Sequence, residues 1–121
     1  KNNLKSNNQK LELKFDLKSK FSAALLIFYI ENQSNREKVF DLIATAKFDG
    51  KFREIRDLII KKTLFKSTTL EIYEELDSKG LNFTKNLLFS NEVRRLCRFA
   101  SPKFNEDPYN EIEKTISFIN S

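Results

Sequence analysis

Arg94, Arg95 and Arg98 fall three and four residues apart. On a helix those spacings gather all three on one exposed face, where like charges repel by roughly 0.2–0.5 kcal/mol per pair. Such a cluster calls for an anion, either carboxylates within the chain or an anionic partner. Glu106, Asp107, Glu111 and Glu113 near the C-terminus are the internal candidates. A second cationic stretch holds Lys51, Arg53, Arg56, Lys61, Lys62 and Lys66. The backbone dipole favours cations at a helix C-terminus, so Lys61 and Lys62 suit an expected helix end without any ligand. A sulfated polysaccharide or a nucleic acid remains open for this stretch. The candidate partner-binding residues are therefore Arg94, Arg95, Arg98, Arg53, Arg56, Lys61, Lys62 and Lys66.

Other chemistry is sparse. Glu71, Glu74, Glu75 and Asp77 are the densest carboxylates. They share one short helix rather than facing each other across a substrate, as glycoside hydrolysis requires, and acids suit the first turns of a helix. Cys97 lies at the spacing of an apolar stripe, which predicts a buried, inert thiol, although three neighbouring arginines would activate an exposed one. With one Cys, neither an intramolecular disulfide nor a zinc-binding thiol cluster can form. His is absent, which removes the usual imidazole base of Ser-His and Cys-His pairs. Gly50 and Gly80 are the only glycines, so no phosphate-cradling glycine loop exists. No catalytic, metal-ligating or cofactor-binding residue is assigned, no cofactor is expected, and the chain is read as a non-enzyme.

The elements that must position these residues read as helical nearly throughout. With 121 residues there is room for one core, built from Leu, Ile and 12 Phe. Residues 1–10 are expected to be a disordered polar tether, and residues 11–121 a single helical domain. A first helix is predicted from about Leu11 to about Asn32, with Leu17, Phe21, Ala24, Leu25 and Phe28 inward. Residues 11–17 also alternate as a strand would, so that start is left as helix or strand. Ser34 and Glu37 form a potential capping box before Val39, Phe40, Leu42, Ile43 and Ala46, and Asp49-Gly50 is expected to stop that helix. Phe52, Ile55, Leu58, Ile59 and Lys62 make the next stripe. Thr68 and Glu71 form a second capping box before Leu70, Tyr73 and Leu76, and Gly80 suits the left-handed position past the helix end, with Leu81 folding back. Ser90-Asn91-Glu92 reads as a restart before an inward face of Val93, Leu96, Cys97 and Ala100, ended by Pro102. Asp107-Pro108 starts a last helix with Tyr109, Ile112, Ile116 and Ile119 inward. The fold class expected is all-α, a compact bundle of five or six short helices.

Charge alternates in blocks along a chain of net +5. Residues 1–20, 50–66 and 81–104 are basic, while 67–80 and 105–121 are acidic. Opposite neighbours could simply compensate each other. The capped helix at Thr68, the Gly80 turn and the arginines up to Phe99 also suggest a loose helix-turn-helix, with a vague boundary and no base-reading set. The longest apolar run, Ala23 to Ile30, is too short to cross a bilayer.

The polar stretch Lys1 to Lys10, followed by helices from about Leu17 to Ile119, resembles the small all-helical surface lipoproteins of Borrelia-type spirochaetes. The likeness is compositional and carries over no functional residue. It implies an outer-surface protein held by a lipid on a Cys upstream of Lys1, with membrane contact only through that anchor. It also implies a monomeric module that binds host proteins or glycosaminoglycans. No Met occurs in the chain, so its start is expected to lie before Lys1. Two alternatives stay open: a cytoplasmic nucleic-acid-binding or regulatory domain, and a bacteriocin immunity protein. A non-catalytic binding module using basic helix faces is the leading expectation.

Overall fold

A helix that is apolar on all sides is satisfied only by burial on all sides. The run from Ala23 to Ile30 meets that demand: every residue from Ser22 to Ile30 is buried, on every face of the helix. A computed structural model describes residues 2–81, 91, 94–100 and 107–121, with side chains described for 17–81, 91, 94–99 and 107–121. The described elements are α1 (Asn2–Glu31), a 3-10 turn (Gln33–Asn35), α2 (Arg36–Thr45), α3 (Gly50–Leu64), α4 (Thr69–Ser78), a 3-10 turn (Arg98–Ala100) and α5 (Tyr109–Asn120). The protein is all-α, and no strand occurs among the described residues. The C-terminal half of α1 is the central member. It packs against α2, α3, α4, α5 and the Arg98–Ala100 turn.

Each surrounding helix brings one apolar stripe to this spine. Val39 and Ile43 come from α2, Ile55 and Ile59 from α3, Ile72 and Leu76 from α4, and Ile112, Ile116 and Ile119 from α5. Ring contacts close two seams. Phe21 of α1 meets Phe118 of α5 edge-on at 5.1 Å, and Phe28 of α1 meets Phe99 edge-on at 5.5 Å.

Several local expectations hold. Thr68 Oγ1 accepts from Glu71 N–H at 3.2 Å, and the Glu71 carboxylate accepts from Thr68 N–H at 2.9 Å, a complete capping box. Gly80 has φ 68°, and Leu81 N–H returns to Leu76 O at 2.8 Å while its side chain packs on the core.

Others are corrected. The Ser34–Glu37 capping box does not form. Residues 33–35 make a 3-10 turn instead, and Asn35 holds the N-cap position without a side-chain bond. Gly50 does not end a helix. Thr45 is the last residue of α2, and Gly50, at φ 51°, opens α3. Asp107 is one residue further out than expected: Pro108 is the N-cap of α5, and Asp107 Oδ1 still accepts from Tyr109 N–H at 3.1 Å. Leu17, Leu70 and Leu96 are exposed rather than inward. Leu17 lies before the enclosed stretch of α1, which begins at Ser22. Leu70 lies in the first turn of α4, whose buried side is set by Ile72 and Leu76. Leu96 ends a helical stretch, and Cys97 and Phe99 beyond it turn inward. α1 begins at Asn2, so its helical backbone runs through residues 11–17 and back through the stretch expected as a tether. Extending an existing helix adds a hydrogen bond for each residue fixed, and no Gly or Pro interrupts this sequence. The expectations for Phe83, Ser90, Glu92, Val93, Pro102 and Glu106, and for the Ala100 side chain, lie outside what is described.

The end of α1 creates the main polar demand of the core. A helix leaves its last four carbonyls without intrahelical partners, and two of these, on Tyr29 and Ile30, lie among buried side chains. Arg36, only 4% exposed, turns back to meet them. Its Nε donates to Tyr29 O at 3.1 Å and its Nη2 to Ile30 O at 2.6 Å. Nη1 donates to Ser67 O at 3.0 Å, beyond the end of α3. Burial lowers the Arg36 pKa from the ordinary guanidinium value, yet a guanidinium stays charged in a protein, and a cation suits the negative end of a helix dipole. Replacing Arg36 by Leu should strand the carbonyls of Tyr29 and Ser67, leave Ile30 O with Thr69 Oγ1 alone, and cost roughly 2–4 kcal/mol. Urea unfolding checks this: the midpoint should fall without a change in slope, and a neutral effect would remove Arg36 from this role.

Candidate interaction surface

The structure divides seven of the eight candidate cations into those spent inside the fold and those left on its surface; the eighth, Arg98, is exposed at the start of a 3-10 turn. Arg56 is spent. From α3 its Nη1 donates to Ile43 O at 3.2 Å and to Ala44 O and Ala46 O at 2.9 Å, capping the end of α2. Its Nε bonds Asp57 Oδ1 at 2.7 Å, and its guanidinium lies 5.9 Å from the Phe48 ring centre. Arg94 is also spent. Its Nη2 pairs with Glu31 Oε1 at 2.5 Å, at the end of α1. Glu31 Oε2 accepts from the Tyr73 hydroxyl of α4 at 3.1 Å. Burial, then the Glu31 charge, push the Tyr73 pKa well above the ordinary value. Lys62 lies 3.9 Å from Glu75 Oε2, a half-exposed pair of little energetic weight.

The arginine triplet does not share one helix face. Helical backbone covers residues 94–96, Cys97 breaks it, and Arg98 begins a 3-10 turn. The carboxylate that meets Arg94 comes from α1, not from the acidic last helix as expected. Much of the helix-turn-helix reading falls on residues 82–90, outside those described, and Arg94 is already committed to Glu31.

Arg53, Lys61, Lys66 and Arg95 are exposed and make no ion pair among the described residues. Arg53 and Lys61 lie eight residues apart on α3, two turns along the side away from Ile55 and Ile59. Asp57, between them, is drawn aside to Arg56. Lys66 follows the helix end with φ 56°, a left-handed conformation that costs a non-glycine residue roughly 1–2 kcal/mol. Three apolar side chains share this corner: Leu64 is 70%, Phe65 74% and Leu70 67% exposed. The expected stripes did not mark them as a surface, although a signal existed. Leu64 lies five residues past Ile59, on the opposite side of the helix from the buried stripe.

Two of the carboxylates on α4 serve structure. Glu71 closes the capping box, which holds its pKa low through the Thr68 hydrogen bonds. Glu75 lies between Lys62 and Lys79 at 3.9 Å from each. Among the described residues no group of three or more His, Cys, Asp or Glu is placed to hold a metal. No described helix is long and apolar enough to cross a membrane.

A cleft of about 280 Å³ lies between α1 and α5, lined by Phe21, Leu96, Cys97, Arg98, Phe99, Glu111, Lys114, Thr115 and Phe118. Cys97 is only 3% exposed in its wall, and burial pushes the thiol up to about 12. It is packed as an apolar group and held as the thiol rather than the thiolate at neutral pH. No family model, curated protein or solved structure matches the chain.

The folded thiol keeps its proton between its ordinary value of 9.0 and about 12, where the unfolded chain releases it. Folding stability should therefore fall as pH rises through that window. Tyr29 and Tyr73, both raised mainly by burial, act in the same direction above the ordinary tyrosine value. Unfolding midpoints near neutral pH and near pH ~10 should differ less in Cys97→Ala than in the native chain. Equal slopes would contradict a protonated, buried Cys97.

Proposed function

We propose that the chain is a non-catalytic binding module that meets an anionic partner, a host protein or a glycosaminoglycan at a cell surface. The supporting observation is selective: Arg36, Arg56 and Arg94 satisfy the fold, while Arg53, Lys61 and Lys66 stand in water without a described counter-charge. Cations displayed along α3 and its end attract a polyanion over roughly a Debye length, about 10 Å at 0.1 M salt. They also speed encounter with an acidic protein surface more than they deepen its affinity. The lipid-anchored, outer-surface setting belongs to this reading as well and rests on the compositional likeness of the chain to spirochaetal surface lipoproteins.

Replacing Arg53, Lys61 and Lys66 together by Ala should weaken heparin binding about tenfold at 0.1 M salt. Helicity should not change, because none of the three makes a described internal contact. Binding by the native chain should fall steeply as salt rises. Wild-type affinity in the triple variant would sink the reading, and so would a preference for duplex DNA over heparin at matched salt.

A further inference from the structure

Leu64, Phe65 and Leu70 are more exposed than any other large apolar side chains described. The turn that carries them is tied down on both sides. Lys66 N–H and Ser67 N–H return to Thr63 O and Lys62 O at 2.9 and 3.0 Å. Ser67 O accepts from buried Arg36, and the Thr68–Glu71 capping box fixes the start of α4. Apolar side chains are thus held out in water by a braced corner. From residue 61 to residue 70 the chain carries Lys61, Lys62 and Lys66 and no acid.

A protruding apolar tip backed by lysines has the composition of an interfacial membrane contact. Apolar side chains enter the boundary between headgroups and acyl chains, and lysines meet anionic headgroups. We propose that the α3–α4 corner docks on an anionic lipid surface, with Leu64, Phe65 and Leu70 in the interface and Lys61 and Lys66 against lipid phosphates. This contact is made by the folded domain itself and does not require a lipid anchor.

Other occupants fit less well. A two-fold pairing of the same patch in a second copy would set the lysines of each copy against those of the other. A polysaccharide would leave the three apolar side chains in water. A stable protein interface buries roughly 800 Å² per partner, more than three side chains supply. The next acid in sequence, Glu71, is turned onto Thr68 N–H, Glu75 is paired with Lys62 at 3.9 Å, and Glu74 lies one turn from Leu70 along α4. Arg53 lies twelve residues before Phe65, about 18 Å along the helix axis, so its part of the cationic face stays clear of the lipid.

The chain contains no Trp, so Phe65→Trp reports on this corner alone. Vesicles of phosphatidylcholine, with and without phosphatidylglycerol, are the probe. The full chain should sediment with the anionic vesicles only, and the emission of F65W should move to shorter wavelength on binding. Leu64→Ser, Phe65→Ser and Leu70→Ser combined should lower partitioning at least about tenfold while keeping helicity and heparin binding. F65S alone, a milder change, should show an intermediate loss. R53A should keep vesicle binding while losing heparin affinity, so this proposal and the polyanion reading can fail separately. Several results would overturn it: no sedimentation with anionic vesicles, equal binding to neutral ones, an F65W spectrum that does not move, or serine variants that bind like the native chain. Self-association abolished by F65S would assign the patch to a second copy instead.

Discussion

The fold depends on how α1 ends. Its last turns are enclosed by the rest of the molecule, so the carbonyls that every helix leaves open there cannot turn to water. A guanidinium resolves this better than an ammonium would, because its planar fork aims several donors at once. Arg36 meets Tyr29 O, Ile30 O and Ser67 O, and Thr69 Oγ1 adds a further hydrogen bond to Ile30 O at 2.8 Å. One side chain thereby joins the end of α1, the start of α2 and the connection from α3 to α4. No carboxylate pairs with it among the described residues. Its compensation comes entirely from carbonyl dipoles and one hydroxyl.

Arg56 repeats the solution at the end of α2, where three carbonyls converge on one nitrogen. The pattern suits a chain with two glycines. A glycine beyond the last turn is the common way to satisfy helix carbonyls. Gly80 does so after α4, whereas α1 and α2 use arginine. Net charge therefore overstates the positive surface, since part of it works as internal hydrogen-bond donors. Part of what stays outside lies on α3 and at the corner after it, where Arg53, Lys61 and Lys66 stand near the exposed Leu64, Phe65 and Leu70.

Much of the architecture was legible in the sequence because it rests on period and local chemistry. The isoleucines of α3 and α5 recur at three and four residues, and those stripes are the buried ones. The Thr68–Glu71 box and the Gly80 cap are local devices, and both form as written. The charged residues were harder to place because the fate of an arginine depends on which carbonyl or carboxylate folding brings near. Arg94 finds Glu31, 63 positions away. Arg56 finds a helix end that a misplaced stop at Gly50 had hidden. Arg36 drew no notice beyond its place within a potential capping box, since nothing in its neighbours announces burial. Leu64 and Phe65 were legible in principle: they fall off the stripe that Ile55 and Ile59 define.

The enclosed spine also constrains how the molecule comes into being. Its apolar residues end at Ile30, while the isoleucines that cover one side of it begin at Ile112. A ribosome adding about 5–20 residues per second leaves that side bare for roughly 4–16 s after it emerges. No nascent chain that stops short of α5 can bury it. The earliest segment with a strong claim to a core thus waits for α5, and until then a nascent chain of this protein is a natural client for holding chaperones.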